Sequence, residues 1–285
     1  MIAVANDFLA EDRPVPVSVL CRVLGLSRST AYYRPRVEPA IRPCDPELTA
    51  LIHSIIEQFP TFGVRRVWAW LRFRLGHPVN RKTIHRIMQL QGWTVRQRRA
   101  GRRPRVEAFP SAASEPDRRW ATDIAMVDCG IDGWCAFVPV VDCCTREVLG
   151  WALESTARSK TAERALEEAL LSRFGWLHGA RSRSLALRHD NGLVFGSRHY
   201  RALVKDYGLV QEYTAPYTPE QNGLCERFIR SFKEECAWLH RFASLAHART
   251  VIADFIHHFN TLRPHQALNY KSPTEYHRNL CKKAA

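Results

Sequence analysis

Two apolar runs, W-C-A-F-V-P-V-V-D and E-V-L-G-W-A-L-E, occupy residues 134–142 and 147–154 with only the turn-sized C-C-T-R between them. Runs this short and this rich in β-branched and aromatic residues read as strands, and the brief spacer makes them an antiparallel hairpin. The pattern around the hairpin alternates. A strand beginning at Arg118 precedes it. After it come a helix over 159–174 with Leu166, Ala169 and Leu170 inward, and a short buried strand over 184–189. A helix over 200–207 stopped by Gly208 and a strand over 209–213 follow, then long helices over 220–239 and 245–260. Three strands, helix, strand, helix, strand, helix describe a mixed α/β fold around one five-stranded sheet flanked by helices.

Three carboxylates sit at informative places in this pattern. Asp123 closes R-W-A-T-D-I on the first strand, in mid-sheet, and Asp190 is the centre of R-H-D-N-G just past the fourth strand. The carboxyl edge of a sheet is where α/β folds expose ligands, and Asn191-Gly192 supplies the tight turn that lifts Asp190 out of its strand. If the first and fourth strands are neighbours, the two aspartates can share a metal. Glu226 lies in P-Y-T-P-E-Q-N-G-L-C-E-R-F, on a helix that begins near Pro219; Arg230 and Lys233 share its face while Phe228, Ile229 and Phe232 fall on the buried side. Hard oxygen ligands without a histidine or cysteine partner suit Mg²⁺ or Mn²⁺ rather than zinc. Two such ions, ~4 Å apart, are the arrangement that stabilises the attacking and leaving oxygens of an in-line phosphoryl displacement.

The charge of the chain names its partner. The net charge is +14 over 285 residues, and between Val64 and Val106 there are thirteen Arg or Lys and no Asp or Glu. Solvated faces mix both signs, so an acid-free block favours phosphate. Arg65, Arg66, Arg81, Lys82, Arg86, Arg96, Arg98 and Arg99 of this block, with Arg230 and Lys233, are the candidate DNA contacts. Residues 17–34 fit two short helices broken at Gly25, with Ser27 capping the second. Helices over 46–59 and 63–75 follow, and Asn80 caps a third with Ile84, Ile87, Met88 and Leu90 on one side and Arg81, Lys82, His85, Arg86 and Gln89 on the other. That is helix-turn-helix grammar, with a basic face able to enter a groove. Residues 98–117 read as a basic Pro/Arg-rich linker. No stretch is apolar for the roughly 18 residues a membrane span needs, and the N-terminus lacks signal-peptide character, which places the protein in the cytoplasm, associated with the nucleoid. Nine scattered cysteines without a C-x-x-C pair read as reduced core residues rather than a zinc site.

The motifs around Asp123, Asp190 and Glu226, the tail N-T-L-R-P-H-Q-A-L (260–268) and S-P-T-E-Y (272–276) together resemble the OrfB-type transposases of bacterial insertion sequences, which carry an integrase-type core with an aspartate-aspartate-glutamate triad. F-G-V-R-R-V and V-N-R-K-T-I-H-R-I-M are similar to the helix-turn-helix region that precedes that core. The resemblance implies a ribonuclease-H-like fold, with Asp123, Asp190 and Glu226 as the catalytic, metal-binding triad and Lys233 contacting DNA at the element end. It implies double-stranded DNA, element ends and target, as partner. It further implies a homo-oligomer on DNA, and either an upstream-frame partner or a frameshift fusion with an upstream reading frame. Many relatives have histidine two positions before the second aspartate; here Arg188 stands there and His189 is adjacent. His189 is left between orienting a ligand and packing, and Asp142, in V-V-D-C-C-T-R, reads as a turn former ahead of a metal role. The organisation expected is a helical segment at 1–45, a helix-turn-helix-like domain at 46–97, the linker at 98–117, the catalytic core at 118–240 and a helical extension at 241–285. The alternatives are a ribonuclease-H-like nuclease or resolvase that only hydrolyses, and a catalytically silent DNA-binding regulator.

Overall fold

The computed structural model describes residues 16–32, 44–95, 111–181, 184–214 and 219–284. The chain divides into two compact units, residues 1–51 and 52–285. In the first, helices α1 (Val17–Val23) and α2 (Arg28–Ala31) are separated by Gly25 at φ 63°, a left-handed conformation that glycine adopts without steric cost. Ser27 caps α2 by accepting the Thr30 amide at 3.2 Å.

The second unit opens with the helix-turn-helix-like helices. Helix α3 (Pro46–Gln58) runs into this unit, and α4 (Val64–Ala69) continues as a π-helical turn over Trp70–Arg74. Helix α5 (Arg81–Leu90) starts where Asn80 accepts the Lys82 amide at 2.9 Å. Ile52, Ile55, Val67, Leu71, Ile84, Ile87 and Met88 are buried in their midst. Leu90 is not among them: expected on the apolar side, it is the last residue of α5 and is 49% exposed.

The sheet contains strands β1 (Arg119–Thr122), β2 (Ala125–Asp128), β3 (Trp134–Asp142), β4 (Val148–Glu154), β5 (Ala186–His189) and β6 (Val210–Tyr213). β3 is flanked by β4 on one side and by β1 and β2 on the other, all antiparallel to it; β1, β5 and β6 then run parallel in that order. Six strands stand where the sequence suggests five because the first is interrupted. Thr122 pairs with Val140 and Ala125 with Phe137, so the register never shifts and Asp123 falls opposite Pro139. Proline has no N–H to give, and the ladder breaks there.

Helices cover both faces of the sheet. On one, Phe137, Val141 and Ala125 meet Phe228 and Phe232 of α9 (Gly223–Phe232) and Ile252, Phe255 and Phe259 of α10 (Leu245–Thr261). On the other, Trp120, Val138, Val140 and Leu187 meet Ala165, Leu166 and Ala169 of α6 (Ser159–Phe174) and Tyr200 of α8 (Arg198–Asp206). α6 lies so close to β4 that a Cβ on Gly150 would stand 2.4 Å from both the Ala165 carbonyl oxygen and the Ala169 nitrogen. A short helix α7 (Leu193–Gly196) follows β5, and α11 (Pro273–Ala284) ends the described chain. The helix expected over 220–239 is a 3₁₀ turn at Pro219–Asn222, then α9, then a π-helical turn at Lys233–Ala237.

The helix-turn-helix-like helices dock on the late part of the chain. Phe59 stacks on His258 with centroids 4.7 Å apart, Arg74 donates to the Thr261 carbonyl at 3.0 Å and pairs with Glu275 at 2.7 Å, and Arg65 donates to Gln266 at 2.9 Å. Deepest is a clamp on Glu235: Arg263 donates two hydrogen bonds to its carboxylate, at 2.7 and 2.8 Å, and Arg66 a third at 2.8 Å.

Candidate active site

The parallel pairing of β1 with β5 settles the position of the first two carboxylates. Ala121 is level with Arg188, so Asp123 and Asp190, each two residues further on, emerge side by side at the carboxyl ends of neighbouring strands. Asp123 Oδ1 accepts the Ile124 amide at 2.8 Å, in the gap left by Pro139. Asp190 Oδ1 accepts the Gly192 amide at 2.9 Å, and Asn191 donates to the Thr214 carbonyl at 2.9 Å, tying the turn to the end of β6. A Cβ at Gly192 would come within 2.9 Å of Asp190 Oδ1, so the carboxylate would have to shift.

Glu226 is exposed in the first turn of α9, and Lys233 begins the π-helical turn that follows. α9 is tied to the sheet at its start, where Asn222 donates to the Thr122 carbonyl at 3.3 Å. The electrostatics converge on Asp123. Burial, with the charges of Asp190 and Glu226, raises its carboxyl from 3.8 to about 6, against the lowering effect of the Ile124 amide and the Lys233 ammonium. Four side chains from β1, β5 and the Glu226 helix therefore act on one point at the sheet edge. Among the described residues no group of three or more His, Cys, Asp or Glu side chains is gathered closely enough to hold a metal ion; what links Asp123 to Asp190 and Glu226 is the effect of their charges.

Three neighbours take roles that the sequence leaves open. His189 is fully buried, stacked on Phe195, with Nδ1 2.6 Å from the Asp190 carbonyl and Nε2 3.1 Å from Gln211 Nε2. Burial lowers its pKa, and the neutral ring donates from Nδ1 to that carbonyl while accepting from Gln211. It holds the backbone of Asp190. Asp142 is a turn former: Oδ1 accepts from the Cys144 and Thr145 amides at 2.9 and 2.6 Å and from the Thr145 hydroxyl at 3.0 Å, and Oδ2 from the Asp117 amide at 2.9 Å. Glu212, which the sequence did not single out, accepts from both Arg119 and Arg188. Its one signal was a carboxylate within a predicted strand.

Comparison with known proteins places the chain in a family. The integrase core domain matches residues 113–219, a second profile of the same description matches 207–273, and an HTH-like domain matches 43–101. The InsD transposase of insertion element IS2 from Escherichia coli is 31% identical over 239 residues, spanning 81% of this chain and 78% of that protein. The chain belongs to the insertion-sequence transposases. Its integrase core domain carries the six-stranded mixed sheet, preceded by a helical HTH-like region. Solved structures similar to the transposase include the HTLV-2 integrase catalytic core in complex with magnesium, 18% identical, TM-score 0.42, covering 57% of this chain and 97% of that one. A second is a simian T-cell lymphotropic virus intasome, 15% identical, TM-score 0.46, covering 80% and 74%.

The basic residues of the transposase divide by environment. Arg81 and Lys82 are exposed at the start of α5 and Arg86 is half-buried on it; Arg230 is exposed on α9. Arg65 and Arg66 are turned toward Gln266 and Glu235, and Arg66 also lies over the Phe62 ring at 5.6 Å. Arg96, Arg98 and Arg99, with most of the expected linker, lie outside the described residues. No helix among the described residues is long and apolar enough to cross a membrane.

Proposed function

We propose that the transposase is a metal-dependent polynucleotidyl transferase with Asp123, Asp190 and Glu226 as its catalytic triad. The observation that carries this reading is the level placement of Asp123 and Asp190 on adjacent parallel strands, with the charges of Asp190, Glu226 and Lys233 all falling on Asp123. The chemistry of the donors suits a divalent cation: all three are hard carboxylate oxygens, and Asp123, driven up to about 6 by burial and then by the charges of Asp190 and Glu226, is a group whose ionised form Mg²⁺ or Mn²⁺ would favour. Asp123, Asp190 and Glu226 would hold the ions, two in number, which when bound supply Lewis acidity to the scissile phosphate and its attacking oxygen.

The protein's own groups then bind and orient. Lys233 and Arg230 meet the non-bridging phosphate oxygens beside Glu226, and His189 and the Gly192 amide keep Asp190 aimed at the same point. In the first step water displaces the 3′ oxygen of a phosphodiester at the element end, leaving a 3′ hydroxyl and a 5′ phosphate. In the second, that hydroxyl attacks another phosphodiester, in the target or the opposite end, and expels its 3′ oxygen. One bond forms and one breaks in each step, and no covalent protein–DNA intermediate arises. The exposed side of α5, with Arg81, Lys82 and Arg86, and the basic residues 96–99 bind duplex backbone. Two ends and a target must meet in one complex, which argues for a homo-oligomer on DNA in the cytoplasm.

Labelled element-end DNA incubated with the protein and Mg²⁺ tests this. Cleavage and joining are expected from the wild type, and neither from Asp123→Asn, Asp190→Asn or Glu226→Gln. Nicking without joining points to a nuclease, and binding without cleavage, unaltered by Asp190→Asn, to a regulator.

A further inference from the structure

The two strand-end aspartates are held by the sheet itself. The third carboxylate is not: Glu226 rides on a separate helix, and its distance from the other two depends on what fastens the start of that helix. Apolar packing by Phe228 and Phe232 fixes how α9 lies on the sheet but leaves its slide along the sheet weakly specified, because apolar contacts lack direction. Directional ties at its start are the Asn222 bond to the Thr122 carbonyl and a bond from Arg188 Nη1 to the Gln221 carbonyl at 2.9 Å.

Arg188 is built into its place. It lies on β5 two residues before Asp190 and is only 6% exposed. Its Nε and Nη2 engage Glu212 of β6 at 3.0 and 2.9 Å, leaving Nη1 for Gln221. Glu212 is also gripped by Arg119 of β1, two strands away, in a fork of 2.7 and 3.1 Å. One carboxylate thus gathers the strand leading to Asp123 and the strand leading to Asp190, and through Arg188 the turn leading to Glu226. A guanidinium can serve two acceptors in fixed directions at once; an ammonium presents a point charge and cannot span both.

We propose that Arg188 is a positioning residue for phosphoryl transfer: seated on Glu212 and donating to the Gln221 carbonyl, it sets the Glu226 helix against the strands that end in Asp123 and Asp190. The proposal rests on the reading of those three carboxylates as the reactive triad. Catalytic groups must be held to within a fraction of an ångström by neighbours that are themselves locked, and a misplacement near 1 Å costs about a hundredfold in rate. Arg188→Lys keeps a cation next to Glu212 and loses the second connection.

The test compares wild type, Arg188→Lys and Glu212→Gln as full chains. Single-turnover cleavage of element-end DNA should fall at least tenfold in Arg188→Lys, with the Kd for that DNA within about twofold of wild type. The Mn²⁺ concentration giving half-maximal cleavage should rise several-fold. Amide hydrogen exchange supplies a readout independent of activity: protection should drop over residues 219–230 while residues 119–122 and 134–142 keep theirs. Glu212→Gln, which weakens both arginine pairs, should show the same local pattern. Unchanged exchange over 219–230, or equal loosening of the whole unit, overturns the proposal, as does a cleavage rate equal to wild type. A wild-type protein that fails to cleave would instead count against the triad reading, and the exchange pattern would still judge the role of Arg188.

Discussion

Asp123→Asn should make the transposase inactive and more stable. A carboxyl whose pKa is higher folded than unfolded penalises the folded state once it ionises. That penalty is absent below about 3.8 and complete above about 6, so stability is lost as pH rises through this window. The rise from 3.8 to about 6 corresponds to about 3 kcal/mol at ~1.36 kcal/mol per pH unit. Asp123 is partly open to solvent, and screening reduces the expected gain to about 1–3 kcal/mol. Asparagine keeps the shape and its Oδ1 can still accept the Ile124 amide, so the substitution removes charge and little else. Urea unfolding at pH 8 and at pH 3.5 is the assay. The variant should unfold at higher urea at pH 8, and the two proteins should converge at pH 3.5. Saturating Mg²⁺ should raise the stability of the wild type more than that of the variant, since it relieves the same repulsion. A variant no more stable than wild type at pH 8, or one whose advantage persists at pH 3.5, would show that the Asp123 charge is not penalised by its burial and by Asp190 and Glu226, and would refute the reasoning.

Other perturbations separate the site from its scaffold. Glu235→Ala leaves the Arg263 guanidinium, 7% exposed, without its carboxylate and should cost about 3–5 kcal/mol, read as a fall in Tm of roughly 10 °C; a fall under 2 °C would refute the clamp. Burial alone would raise the Glu235 carboxyl, but Arg263 and then Arg66 hold it below its usual value, so its contribution is present above about 4.5 and lost as pH falls further. The wild type should therefore lose stability on acidification below pH 4.5, and Glu235→Ala should lose less. Gly192→Ala has an acceptable backbone, φ −60° and ψ 146°, so its added Cβ acts chiefly on Asp190; cleavage should drop ten- to a hundredfold with stability within about 1 kcal/mol. Gly150→Ala collides with the backbone of α6 and should do the reverse, costing about 2–3 kcal/mol by thermal unfolding and leaving the chemistry of any folded fraction intact.

What the sequence could reveal followed from the range over which its signals act. Asn80 and Ser27 announce their helices because a cap is made within three residues. The strand ending at His189 and the Asn191-Gly192 turn mark Asp190 equally locally. The split of the first strand was written in the hairpin partner, at Pro139, and becomes visible only when the register places it against Asp123. The π-helical turns at Trp70–Arg74 and Lys233–Ala237 left no mark in an otherwise ordinary helical periodicity. Ion pairs were the least legible. Arg66 sits in an acid-free block and read as a phosphate contact, yet its partner Glu235 lies 169 positions away. Glu212 carries no local mark for the same reason, since it is the sheet order that brings Arg119 to it.

The docking of the helix-turn-helix-like helices on residues 235–275 has a consequence for how the molecule is made. Arg74 waits for Thr261 and Arg65 for Gln266, partners 187 and 201 positions downstream. During synthesis these helices leave the ribosome early, before His258, the ring that Phe59 and Phe62 contact, has been made. Contacts closed over such distances form late and slowly. A nascent chain stopped short of Arg263 therefore carries apolar rings without their His258 face and a Glu235 held by Arg66 alone, the kind of surface by which quality control distinguishes an unfinished protein from a finished one.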